Sequence, residues 1–175
     1  NQHDYEENLE FIVPENFNFA YDVIDAWAEE EPDKLAMLWT NSDGECRRYN
    51  FGQLKEISDH TAAYFQSLGI GRGDMVMLIL KRRCEFWFSM LALHKLGAVA
   101  IPATHMLTSH DIQYRVERAG IKCIVCVGED YVMEQINDAM QHTPVPVLVS
   151  IGTKDAEGLK KILHWSLQDL GHSSY

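Results

Sequence analysis

Three consecutive cations, Lys81-Arg82-Arg83, stand between an apolar run and the start of a helical pattern. Open α/β sheets place ligands beside the carboxyl ends of their strands. Cations at such a place, next to the free N–H groups of a helix end, suit a phosphate or carboxylate. Lys81, Arg82 and Arg83 are therefore a candidate anion site; the simpler alternative is a solvated basic loop, paired with Glu85. Two glycine-bearing stretches invite a similar reading. Gly69-Ile70-Gly71-Arg72-Gly73 follows a helical pattern and leads into a strand, the reverse of a phosphate loop, so a cap and turn is expected. Ser150-Ile151-Gly152-Thr153-Lys154 has the right order, strand then helix. It lacks the first glycine of a nucleotide loop and has Thr-Lys where Lys-Ser/Thr is needed, so it reads as a solvent turn.

Sulfur and imidazole offer less. Cys123 and Cys126 have metal-like spacing, but one such pair cannot complete a four-ligand site. They fall in an apolar run that reads as a strand, on which residues three apart point to opposite faces. Buried free thiols in a reducing compartment, with the cytoplasm expected, are the better reading. The eight histidines are scattered, and no metal is expected. Phe86, Trp87 and Phe88 cover more than one face of a helix, which predicts core packing rather than ligand stacking.

The chain that must position these residues has 175 of them, 46% hydrophobic and 23% charged, which suits one globular domain or a large piece of one. Its 15 basic and 26 acidic side chains give a net charge of −11, which argues against nucleic acid or anionic lipid as a partner. Asn1 to Glu15 is acidic without an apolar core, so no signal peptide is expected. Phe86 to Ile101 is interrupted by His94 and Lys95, so no membrane span is expected.

Residues 1–17 read as a lead-in. A helix is predicted from Asn18 as N-cap to the glutamates before Pro32, then a hairpin of Leu35–Thr40 and Cys46–Tyr49 across Asp43-Gly44. Asn50 and Gln53 resemble a capping box opening a helix that Gly69 stops. Strands and helices then alternate: Met75–Leu80, Glu85–Leu96, Ala98–Pro102, Ser109–Ala119, Lys122–Val127, Tyr131–Gln141, Val145–Ser150 and Glu157–Leu170. That alternation implies an α/β fold, a largely parallel sheet with helices on both faces.

Several segments resemble the adenylate-forming superfamily of acyl-CoA synthetases, luciferases and peptide-synthetase adenylation domains. Tyr49-Asn50-Phe51-Gly52-Gln53-Leu54 is similar to its early Tyr-x-Glu-Leu segment. Gly69 to Val76 is similar to its Gly-x-x-x-Gly-Asp-x-Val stretch, and Leu93 to Pro102 to its Lys-x-Gly-Ala run ending at proline. Phe17 to Trp27 and Pro102 to Arg115 resemble the medium-chain acyl-CoA synthetase group. The sequence departs from the family at Leu80-Lys81-Arg82-Arg83-Cys84-Glu85, where Leu-Pro-x-x-Pro-Glu is usual.

The resemblance implies the large N-terminal domain of such an enzyme, incomplete over residues 18–175. The family's lysine-ending phosphate loop, adenine motif, hinge and C-terminal catalytic lysine are not among these residues. The implied parent joins a fatty or aromatic carboxylic acid to CoA with ATP and Mg²⁺, through an acyl-AMP. This chain alone is expected to be inactive, to bind no cofactor tightly and to self-associate through an uncovered sheet face. Its implied share is a wall of the CoA channel at Thr104, His105 and Met106, the last standing where relatives often have a CoA-contacting Gln. A free-standing module for an anionic metabolite and a non-catalytic interaction domain are the alternatives.

Overall fold

The structure, a computed structural model, describes residues 14–152 and the backbone of 162–165. It opens with a π-helical segment, Ala20–Asp25, that runs into α1, Ala26–Glu30. The helix expected from Asn18 is thus present but starts after Phe19 and is wound wide. The Asn18 side chain is engaged at both ends, its oxygen accepting from the Ala20 N–H at 3.0 Å and its amide donating to the His94 carbonyl at 2.7 Å. The π turns deliver Asp25, which is buried, to Lys95 at 2.9 Å. Wide turns of this kind are uncommon and need such tertiary support.

The hairpin β1, Leu35–Thr40, and β2, Cys46–Asn50, forms its own antiparallel ribbon. Asn41 shapes the turn by accepting from the Asp43 and Glu45 N–H groups, and Gly44 takes a φ of 81°. The predicted capping box holds: Asn50 and Gln53 exchange bonds at the start of α2, Phe51–Ser67.

A parallel sheet follows: β3 (Met75–Ile79), α3 (Glu85–Leu96), β4 (Val99–Pro102), α4 (Ser109–Ala119), β5 (Ile121–Val127), α5 (Asp130–His142), β6 (Val147–Ile151) and β7 (Ile162–Trp165). The strand order is β4-β3-β5-β6-β7, parallel throughout. The chain moves one way from β3 to β4 and the other way from β4 to β5 and β6. Right-handed crossovers then place α3 on one face and α4 and α5 on the other. Packing agrees, since α3 lies on α2 and α4 on α5.

Three expectations are corrected. Residues 162–165, expected within a helix over Glu157–Leu170, form β7, pairing Ile162 to Leu148 and Trp165 to Ile151; the edge of β6 offers backbone partners that outweigh local helical pattern. Trp87 is 54% exposed while Phe88 is fully buried, because neighbours on a helix lie about 100° apart and one packed face cannot take both. An open sheet face was expected, yet Val76, Met77 and Leu78 on β3 and Cys123 to Cys126 on β5 are all 0% exposed. Successive strand residues alternate faces, so both faces are covered, by α2 and α3 on one side and α4 and α5 on the other.

Candidate functional site at the carboxyl edge of the sheet

Because the strands are parallel, the loops after β3, β4, β5 and β6 emerge along one edge. The crossovers leaving β3 and β5 go to opposite faces, so a crevice opens between these two neighbouring strand ends, the switch point where such sheets hold ligands. Lys81 stands at one lip and Glu129 at the other, and their side chains form an ion pair across it. Lys81 has a φ of 52°, the one positive value outside glycine among the described residues. Side chains with a Cβ adopt it rarely, and the fixed φ of proline forbids it. The loop therefore follows a path that a proline at this position could not take.

The three predicted cations part company. Lys81 faces the crevice. Arg82 is exposed, and its carbonyl accepts the Trp39 indole N–H at 2.5 Å. Arg83 turns to a separate cavity of about 280 Å³ shared with Trp39, Arg47, Cys84 and Glu85. Its guanidinium lies so close to Gly152 that a Cβ there would sit 2.7 Å from Nη2. The helix-end N–H groups foreseen as anion donors are already bonded: Phe86 to the Arg83 carbonyl at 3.2 Å, and Trp87 and Phe88 to that of Cys84 at 3.0 and 3.4 Å. Glu85 accepts from the Cys84 thiol at 3.3 Å. Burial and the neighbouring Glu85 push that thiol up to about 11, which keeps it protonated and unreactive.

Thr104, His105 and Met106 follow β4, whose pairing of Pro102 with Leu78 sets them beside the end of β3. Thr104 Oγ1 accepts from the Met106 N–H at 3.3 Å, and Thr108 with Asp111 then opens α4 through a second capping box. His105 and Met106 line a cleft of about 370 Å³ with Lys81, Glu129, Tyr131 and Val132. The structure thus joins Lys81 to the predicted channel wall and separates it from Arg82 and Arg83. Glu129, Tyr131 and Val132 were missed by sequence reasoning. Their signal was positional, the residues just after a fully apolar strand, and it becomes readable only once β5 is known to neighbour β3.

The rejected glycine stretch lies at the opposite edge. The Gly73 N–H donates to the Gly97 carbonyl at 2.9 Å, and Asp74 accepts from the Gly71 N–H and from Lys122, each at 2.8 Å. This is a cap and turn, as the order of elements implied. Gly152, in the other stretch, has a φ of 78°; Thr153 and Lys154 lie outside the described residues. Cys123 and Cys126 are buried free thiols, each pushed up to about 12 by burial.

A doubly wound α/β sheet with its crevice at the β3/β5 switch point defines the class of architecture. The family follows from comparison: the family model described as AMP-binding enzyme matches residues 24–171, and the chain belongs to that family. Human mitochondrial acyl-coenzyme A synthetase ACSM3 is 36% identical over 131 residues, which are 71% of this chain and 22% of that protein. Rat mitochondrial ACSM2 is 36% identical over 152 residues, 83% of this chain and 26% of that protein. The chain thus spans about a quarter of the length of these curated relatives. A benzoate CoA ligase from Burkholderia xenovorans LB400 shares the fold with a TM-score of 0.64 at 18% identity, over 77% of this chain and 26% of that one.

Proposed function

We propose that the chain is the N-terminal portion of an acyl-CoA synthetase, an acid–thiol ligase that joins a fatty or aromatic carboxylate to CoA at the expense of ATP. The observation that carries this is the family match over residues 24–171 together with relatives named as acyl-coenzyme A synthetases. A carboxylate is a poor acyl donor because oxide is a poor leaving group. Transfer of AMP to it, with release of pyrophosphate, supplies a good one, which the CoA thiol then displaces.

This portion's share is structural and positional. Thr104, His105 and Met106 form a wall along which CoA approaches, with Met106 offering an apolar surface in place of a hydrogen bond. Lys81, Arg82 and Arg83 supply positive charge to the same edge. Among the described residues no three His, Cys, Asp or Glu side chains converge. The buried thiols suit a reducing compartment, either the cytoplasm expected from the sequence or the mitochondrion carried in the relatives' names. No helix among the described residues is long and apolar enough to cross a membrane. Phe19, Leu38 and Trp87, all about half exposed beside one groove, give self-association a surface that sedimentation across a concentration series would detect.

Pyrophosphate exchange into ATP tests the reading. A full-length protein carrying this segment should exchange with medium-chain or aromatic acids, and the 175-residue chain should remain at background. Robust exchange by the chain alone, or none by the longer protein with any such acid, would contradict it.

A further inference from the structure

The cavity into which Arg83 turns lies apart from the Lys81 cleft, between the hairpin and the loop that enters α3. It measures about 280 Å³, and two arginines and two glutamates line it, so their charges sum to zero. One pair is already made. Arg47 Nη2 lies 2.6 Å from Glu45 Oε1, and its guanidinium sits over the Trp39 ring at 5.2 Å. The other pair is not. Arg83 and Glu85 stand two residues apart and are both partly buried, yet neither belongs to an ion pair among the described residues. Glu85 has the Cys84 thiol, a weak donor, at 3.3 Å. The Arg83 guanidinium lies against Gly152 and has no acceptor among the described residues. Charges drawn partly out of water gain most from a partner of opposite sign.

We infer that this cavity binds a small zwitterion, a free amino acid whose carboxylate takes Arg83 and whose ammonium takes Glu85. A simple anion would meet Arg83 but stand beside the Glu85 carboxylate. A simple amine would meet Glu85 but stand beside the Arg83 guanidinium. A molecule carrying both charges answers both side chains. The planar fork of arginine suits a carboxylate bidentately. The Trp39 indole, fixed by its bond to the Arg82 carbonyl at 2.5 Å, gives the intervening carbons an apolar wall. A volume of about 280 Å³ lies at the lower end of small-ligand sites, which limits the occupant to a few carbons. These residues are distinct from the Thr104–Met106 wall, and the inference does not rest on the ligase reading.

Titration of the isotopically labelled chain with glycine, β-alanine and 4-aminobutanoate, followed by NMR, tests it, with the Trp39 indole N–H as reporter. Propionate and ethylamine, each carrying one of the two charges, are the controls. The best of the amino acids should bind about tenfold more tightly than either control, the weight of one charge-assisted hydrogen bond. Its length then gives the spacing of the two charged groups. Glu85→Gln should weaken that amino acid about tenfold and strengthen propionate, whereas Arg83→Gln should weaken it as much and strengthen ethylamine. General damage to the fold would weaken every probe, so the opposite signs identify the roles, and the comparison of probes in the unaltered chain stands without the variants. Amino acids that bind no better than the controls would overturn the proposal. So would variants that leave the best amino acid unchanged, or that lose every probe while keeping a native amide spectrum.

Discussion

The two edges of the parallel sheet use their charges differently. At the amino edge two lysines have fixed tasks. Lys122 bonds the Gly69 carbonyl at 2.6 Å and Asp74 at 2.8 Å, tying β5 to the turn before β3. Lys95, with its side chain only 2% exposed, bridges Asp25 at 2.9 Å and Asp59 at 2.6 Å, locking the end of α3 to the π-helical segment and to α2. At the carboxyl edge Lys81 is held by one exposed carboxylate, and Arg82 and Arg83 have no carboxylate partner among the ion pairs of the described residues. Lys95 and Lys122 are thus each tied to partners on other elements at short range, whereas Lys81 meets a single exposed carboxylate. Parallel strands set the two groups apart, since every loop of a given kind falls on the same side.

Substitutions can break this contrast. The largest effect should come from Lys95→Met, which leaves buried Asp25 with only the longer contact to Lys55 at 3.9 Å. Loss of half of a buried pair costs about 3 kcal/mol, and urea denaturation should find it, against a change below about 1 kcal/mol for Lys81→Ala. Gly152→Ala should cost about 1–2 kcal/mol, because a φ of 78° strains any side chain and its Cβ would meet Arg83. Most of that cost should persist in the double variant with Arg83→Ala, since a guanidinium tip can move aside whereas the backbone cannot.

Acid sharpens the comparison more gently. Burial would raise the Asp59 carboxyl, but its bonds to Lys55 and Lys95 outweigh burial and hold it below the ordinary range. Lys122 and the Gly71 N–H do the same for Asp74. A carboxylate depressed on folding contributes stability that is complete above its unfolded value of about 3.9 and is lost as pH falls through the lower folded value. Stability should therefore hold from neutrality to about pH 5 and decline below about pH 4, with a shallower decline in Lys122→Met. The smallest effect should be that of Lys81→Gly on stability, a change within about 1 kcal/mol, because relief of the positive φ offsets the lost ion pair.

Much of the fold was legible because local signals agreed with tertiary needs. The runs Glu85–Leu96 and Ser109–Ala119 were bounded in advance by Gly97 and Gly120, which take φ values of 65° and 62° as helix terminators. The capping box at Asn50 was likewise written in two residues three apart. Signals failed where a neighbour in space decided the outcome. Residues 162–165 pair with β6 against their helical pattern, and Trp87 is turned outward by the packing of Phe88. The candidate site was half legible. Lys81, His105 and Met106 could be named from sequence, but Glu129 and Tyr131 lie far along the chain and reach them only through the strand order. No residue spacing reports that order. The divergence of Lys81 from Arg82 and Arg83 was equally hidden, since it follows from one backbone angle at Lys81.

The claim that one edge is kept for ligands and the other for structure can be tested in a single titration. Addition of CoA to the isotopically labelled chain, followed by amide NMR, should shift Lys81, Thr104, His105, Met106 and Glu129, while Gly69 to Asp74 and Lys122 stay fixed. Shifts confined to the Gly69–Asp74 turn, or no shift at the carboxyl edge at saturating CoA, would contradict the account.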